Sequence, residues 1–180
     1  MEFHKTSHVF DEVKIYKGKI FEDSRGFFSK PFYGEIISKE FSHSYEVLIS
    51  KSKKNVIRGL HFQKKNKQTK IIHVIDGKIL DVVVNLKKKS KNYGKVYKFL
   101  LNKGDILFVP NFFAHGYECL SKKCIVLYHL DNYRDAKNED GIKFNDKKLK
   151  IKWFTKKPLI SNRDKKSNSF EYFEKKIKTL

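Results

Sequence analysis

Short apolar runs with every-second-residue alternation recur along the chain roughly every ten residues, separated by turn-forming residues. The clearest unit is KIIHVIDGKILDVVVNL, residues 70–86, where Asp76-Gly77 between two β-branched runs predicts a tight hairpin with a type I′ turn. Further strands are predicted at 13–21, 45–51, 56–63, 95–101, 106–109 and 123–130. Helical spacing is confined to residues near 34–41 and to the tail, where Phe170, Phe173, Glu174 and Ile177 recur on one face. Many short strands without a strand–helix–strand rhythm predict an all-β fold, an antiparallel sandwich or jelly roll. With no internal repeat and no obvious linker, residues 1–180 read as one domain ending in a helical tail at 165–180.

Polar residues inside such strands are informative, because burial is costly unless they find partners. In VIRGLHFQ the alternation puts Ile57, Gly59, His61 and Gln63 on one face and Arg58, Leu60 and Phe62 on the other. Lys70 shares a face with Ile72 and Val74, and Tyr128 shares one with Val126 and Cys124. Taken singly, each is what a hydrogen-bonded core residue looks like. Together they offer a base, a cation and a phenol to one barrel interior, beside FVPNFFAHGYECLS at 108–121 and DSRGFF at 23–28.

Composition changes this picture only in part. A hydrophobic content of 39% with 16 Phe supports a packed core rather than disorder. No apolar run reaches the about 18 residues that a membrane span needs, and the N-terminal MEFHKTSHVFDEV lacks a signal-peptide layout. Cys119 and Cys124 lie five apart; on one strand they would point to opposite faces, so reduced thiols in a cytoplasm are expected. The net charge of +20 raises a nucleic-acid partner. The lysines are spread over the whole chain, however, and only four of the 40 basic residues are arginine, which favours a solvated basic surface and no nucleic-acid partner. Arginine is rationed, so its positions matter: Arg25, Arg58, Arg134 and Arg163.

The segments DSRGFF, SKSKKNVIRGLHFQ, QTK, GKILDVVVNL, VPNFFAHGY, LYHLDNY, NDKKLKIKW and LISNRD stand in an order that resembles the dTDP-4-dehydrorhamnose 3,5-epimerases, over about residues 10–165. The resemblance implies a cupin-type jelly roll, a β-sandwich barrel with a few short helices, usually a homodimer and needing no cofactor. It also implies chemistry: inversion of C3 and C5, which flank the C4 ketone of a nucleotide-linked 4-keto-6-deoxy sugar. On that resemblance His61 is the base, Asp164 orients it, Lys70 faces the keto oxygen and Tyr128 is the acid on the opposite side. His115 completes the polar floor. Arg58 grips the diphosphate, and Arg25 and Arg163 match further phosphate- or nucleotide-side positions. Cupins often hold a metal through two histidine-bearing motifs, and His61 and His115 match two ligand positions. Gln63 replaces another, though, and Lys64, Lys65 and Lys67 follow where an acidic ligand would stand, so no metal is expected.

The departures from the family pattern cluster on recognition. Glu46 and Leu48 replace a Gln-x-Asn pair that lines sugar and phosphate. Lys30 replaces a glutamate that reads thymine, and Arg134 replaces a tyrosine that stacks on it, whereas Glu139 keeps the acidic position. Lysine and arginine only donate, and guanine presents O6 and N7 as acceptors, so GDP is expected in preference to dTDP. A GDP-4-keto-6-deoxy-heptose on the way to capsule or lipopolysaccharide would suit that exchange. Two other classes remain open: a cupin that moves a sugar-nucleotide carbonyl or only binds the sugar, and a non-enzymatic basic β domain that binds nucleic acid.

Overall fold

A computed structural model describes residues 4–10, 12–30 and 46–176, with side chains from residue 12 onward. In chain order the strands are β1 (His4–Phe10), β2 (Val13–Gly18), β3 (Ile20–Asp23), β4 (Gly26–Ser29), β5 (Glu46–Lys53), β6 (Ile57–Gln63) and β7 (Lys70–Asp76). There follow β8 (Lys78–Asn85), β9 (Val96–Asn102), β10 (Ile106–Val109), β11 (Phe113–Cys119), β12 (Lys123–Leu130) and β13 (Glu139–Gly141), then helices α1 (Asn162–Lys165) and α2 (Phe170–Lys176). One antiparallel sheet runs β1-β2-β10-β7-β12-β5, a second runs β13-β6-β11-β8-β9, and β3-β4 form a separate ribbon. This is the antiparallel sandwich expected from the alternation, and it agrees with the cupin-type jelly roll that the resemblance implies.

Apolar side chains from both sheets fill the space between them: Ile72 and Val74 of β7, Leu107 of β10 and Val126 of β12 meet Val83 of β8 and Tyr117 of β11. Burying each such side chain contributes about 1.5–3 kcal/mol. A second layer covers the outer face of the five-stranded sheet, where Leu60, Phe62, Leu80, Val82 and Val84 meet Phe170 and Phe173 of α2. β8 is therefore buried on both faces, which explains its near-continuous apolar run. Phe62 and Phe173 pack edge to face at 5.1 Å, anchoring the tail helix. Ile177 and the helix expected near 34–41 lie outside the described residues.

Three expectations need correction. Asp76-Gly77 does not close a hairpin: β7 and β8 belong to different sheets, and the turn carries the chain across the sandwich. Gly77 has φ +83°, and a Cβ there would stand 2.3 Å from the Lys123 carbonyl oxygen, so the dipeptide is needed for a tight turn of another kind. The strand expected over 13–21 breaks at Lys19, where the chain leaves the six-stranded sheet for the β3-β4 ribbon. Cys119 ends β11 and Cys124 lies in β12, so they do not share a strand; both thiols are free and face the same inter-sheet core.

Candidate active site

The fold leaves a cavity of about 390 Å³ open between the sheets, within the range of small-ligand sites. His61 enters it from β6 of the five-stranded sheet. Lys70 of β7 and Tyr128 of β12 enter from the six-stranded sheet. Tyr128 pairs with Ile72 and Leu130 pairs with Lys70, so phenol and ammonium are diagonal neighbours on one face. His115 of β11 is the cross-strand partner of His61, and its ring meets that of Tyr128 edge-on at 6.1 Å. The four side chains that the sequence scatters over 68 positions are thus assembled by pairing across two sheets.

Arg58 also lines the cavity, against the face assignment by alternation. Between β6 and β11 the register slips: two residues lie between Arg58 and His61 on one strand, while one lies between His115 and Tyr117 on the other. That extra residue turns Arg58 and His61 to the same side. It is tolerated because two glycine backbones touch there. A Cβ on Gly59, at φ +107°, would lie 2.7 Å from the Gly116 Cα, and one on Gly116 would lie 2.5 Å from the Arg58 carbonyl oxygen.

Each functional group is held from behind. Asp164 Oδ1 sits 2.6 Å from His61 Nε2. The aspartate is placed by α1, whose N-cap Ser161 hydroxyl accepts from the Asp164 N–H at 3.0 Å, while Oδ2 accepts from the Gly59 N–H at 3.3 Å. Burial raises the Asp164 carboxyl, but the imidazole hydrogen bond and charge, with Gly59 and Ser161, hold it below the usual aspartate value. As an ionised carboxylate it accepts from Nε2–H, leaving Nδ1 with its lone pair. Desolvation lowers the Lys70 ammonium from 10.5 to about 8, against the opposing pull of Glu139, Asp81 and Asp131. The same desolvation, with Tyr117 nearby, lifts the Tyr128 phenol well above the ordinary tyrosine value.

At the mouth Glu139 Oε2 pairs with Arg134 at 2.7 Å and Arg163 at 3.0 Å. Burial raises its carboxyl, and Arg163, His61 and Arg134 together bring it below the usual value. The three lining side chains form a charged rim of two guanidinia sharing one carboxylate. Among the described residues no group of three or more His, Cys, Asp or Glu is placed to hold a metal ion. Gln63 is engaged elsewhere: its amide donates to Asn66 O and Tyr133 O and accepts from the Asp135 N–H, tying down the loop after β12.

A sequence profile of the dTDP-4-dehydrorhamnose 3,5-epimerases matches residues 7–172. The chain is 34% identical over 172 residues to a dTDP-4-dehydrorhamnose 3,5-epimerase of Shigella flexneri, covering 90% of this chain and 94% of the relative. It belongs to that family. The crystal structure of the Bacillus anthracis enzyme with TDP and diphosphate bound superposes with a TM-score of 0.85 at 33% identity, over 92% of this chain and 99% of that one. The Legionella pneumophila dTDP-6-deoxy-D-glucose-3,5-epimerase in complex with dTDP-4-keto-L-rhamnose gives 0.83 at 28% identity, over 92% and 91%.

Within this family member, His61, Lys70, His115, Tyr128, Arg58, Arg134, Glu139 and Arg163 meet at one cavity, with Asp164 directly behind His61. Three expected substrate-side residues do not line it. Glu46 accepts from the Arg134 backbone N–H at 2.8 Å and so shapes the rim from outside. Lys30 follows β4, and Arg25 sits on the β3-β4 turn in a bidentate pair with Asp23, 87% exposed. Sequence reading missed Asp81, whose Oδ2 lies 2.8 Å from His115 Nε2 at zero exposure. Its signal was present: a lone carboxylate inside ILDVVV must have a partner. It also missed Ser50, Tyr117 and Gln68 on the lining, which are ordinary strand residues until their neighbours are known.

Proposed function

We propose that the chain epimerises a nucleotide-linked 4-keto-6-deoxy sugar at C3 and C5 through an enolate. One observation carries this reading: His61 comes from one sheet and Tyr128 with Lys70 from the other, so base and acid address opposite sides of whatever fills the cavity. His61 Nδ1 takes the proton from the carbon next to the ketone, and the C–H electron pair moves into the enolate. The imidazolium is stabilised by Asp164, as a carboxylate supports histidine in a triad. The Lys70 ammonium faces the developing oxyanion, a contribution worth about 3–4 kcal/mol where one such donor is removed. Tyr128 then delivers its proton from the other side, and the centre is inverted. The two carbons flank one carbonyl, so the same set serves both in turn.

The Arg58 fork and the Arg163 guanidinium suit the diphosphate. The finer reading is that the nucleotide is GDP rather than dTDP. Arg134 at the cavity mouth supports it, offering donors only where guanine offers O6 and N7. A homodimer is the assembly we favour. Phe27 and Phe28 on the β3-β4 ribbon and Val47 and Ile49 on edge strand β5 are exposed in the isolated chain, and a second copy covering them would bury that apolar surface.

Incubating matched GDP- and dTDP-linked 4-keto-6-deoxy sugars with the protein in heavy water tests the proposal. The expected result is deuterium at C3 and C5 with inverted product, faster on the GDP sugar. A clear dTDP preference overturns the nucleotide assignment, a shifted carbonyl points to a ketoisomerase, and no exchange on either overturns the epimerase.

A further inference from the structure

On the outer side of the five-stranded sheet, the apolar layer stops short of the last strand. Leu80 of β8 and Leu100 of β9 are cross-strand partners, so they share a face, and Leu80 belongs to the layer that α2 covers. Leu80 is 4% exposed, whereas Leu100, one strand further out, is 48% exposed. β9 ends its sheet and is paired with β8 alone. Residues 152–155 run beside these strands and leave two adjoining hollows of about 450 and 370 Å³, with Leu100 and Phe154 common to both.

The wall that carries Phe154 is fixed from beneath. Glu118 is 1% exposed, and its two carboxylate oxygens accept from the Phe154 and Thr155 N–H groups at 2.8 Å each. Trp153 Nε1–H donates to the Phe144 carbonyl oxygen at 2.8 Å, and its ring packs against the covered layer. With the backbone pinned and Trp153 turned inward, the next side chain, Phe154, is held outward at 65% exposure. Single apolar residues scattered over a surface mean little. Two large ones meeting in a concave strip with a charged rim have the form of a contact surface.

Charge decides what such a surface can meet. Lys54, Lys78, Lys98 and Lys152 line the two hollows, and all four are exposed. None of their ammonium groups has a carboxylate partner among the described residues. Glu118 is the one acidic side chain on the lining, and its oxygens are taken up by backbone. A second copy of this chain would bring the same four charges against themselves, on a protein of net charge +20. A polynucleotide is disfavoured because the floor is aliphatic and no arginine lines it. We propose that the groove docks an acidic segment of a partner protein, with a bulky apolar side chain seated between Leu100 and Phe154 and flanking carboxylates on the lysines. No residue lines both the groove and the cavity, so the proposal does not depend on the epimerase reading.

The chain's single tryptophan, Trp153, lines the groove and reports on it without a label. The test titrates the full chain with a glutamate peptide that carries one central phenylalanine, following Trp153 emission. Expected is a saturable change in emission that weakens with added salt. Replacing the peptide's phenylalanine by alanine, or Leu100→Ser in the protein, should weaken binding about tenfold, the scale of one buried anchor. Lys98→Glu with Lys152→Glu should weaken it by about tenfold as well. Lys65→Glu with Lys67→Glu makes the same change of net charge on the loop between β6 and β7, and should leave binding within about twofold of wild type. Equal weakening in both lysine pairs, or no loss on removing the phenylalanine, overturns the proposal, because the peptide would then read net charge alone. An emission that the peptide does not move overturns it too. Oligothymidylate moving the emission more strongly than the peptide assigns the groove to nucleic acid instead, and a dimer in sedimentation that Leu100→Ser dissolves assigns it to a second copy; either result overturns the acidic partner.

Discussion

The Lys70 ammonium donates to the backbone carbonyl of His61 at 3.4 Å, so the cation carried by one sheet touches the strand that carries the base on the other. This contact fixes the order of groups along the cavity floor: imidazole, then ammonium, then the Tyr128 phenol diagonal to it. In the proposed reaction this order puts the ammonium beside the oxygen that turns negative.

Holding Lys70 there costs stability. Its pKa of about 8, down from 10.5, means the unfolded chain binds more protons between these values. Stability therefore rises with pH through that window, and below about 8 the buried cation is a penalty of order 3 kcal/mol. Lys70→Met should raise the melting temperature at pH 7 by roughly 5 °C while reducing turnover about 10²–10³-fold. Wild-type turnover should fall as pH rises through about 8, as the ammonium is lost. Calorimetry and a pH–rate profile check both; a melting temperature that drops in Lys70→Met would contradict the assignment.

Asp164→Asn keeps the shape behind His61 and removes the charge. Turnover should drop by about 10²–10⁴-fold, the span of general-base catalysis, with little change in KM. The native carboxylate lies below its usual value, so its stabilising contribution is present above the ordinary aspartate range and is lost as pH falls through the folded-state value. The acid limb of the wild-type unfolding profile should accordingly flatten in the variant.

His61→Asn and Tyr128→Phe should separate the two halves of the reaction. Deuterium uptake at both carbons disappears in His61→Asn. In Tyr128→Phe uptake persists while net inversion falls, since only the delivering acid is gone. Mass and NMR analysis of sugar recovered from heavy water reads the difference, and equal loss of both in Tyr128→Phe would remove that residue from its role.

Gly116→Ala should be among the most damaging single changes outside the chemical groups. The added carbon would lie 2.5 Å from the Arg58 carbonyl oxygen, and backbone there cannot give way without undoing the register slip that points Arg58 and His61 together. A loss of about 3 kcal/mol or more is expected, measured by denaturant unfolding, together with weaker nucleotide binding.

Most of the strand pattern was legible before any coordinates. Alternation located the majority of strands from β5 to β12, because a half-buried strand must repeat every two residues. Arg58, Arg134 and Arg163, though not Arg25, and the polar residues on apolar faces pointed to the cavity, the latter because a buried polar group must find a partner. β11 was not legible as a strand: AHGYEC looks polar, yet the element is wholly buried, since His115 is satisfied by Asp81 and Glu118 by the Phe154 and Thr155 N–H groups, partners distant in the chain. Only the tertiary structure decided that Asp76-Gly77 joins two sheets instead of two paired strands, and that one extra residue beside Gly59 brings Arg58 to the side of His61. Strand periodicity is a local property of the backbone. Which sheet a strand joins, and where its register slips, depend on contacts with segments far along the chain.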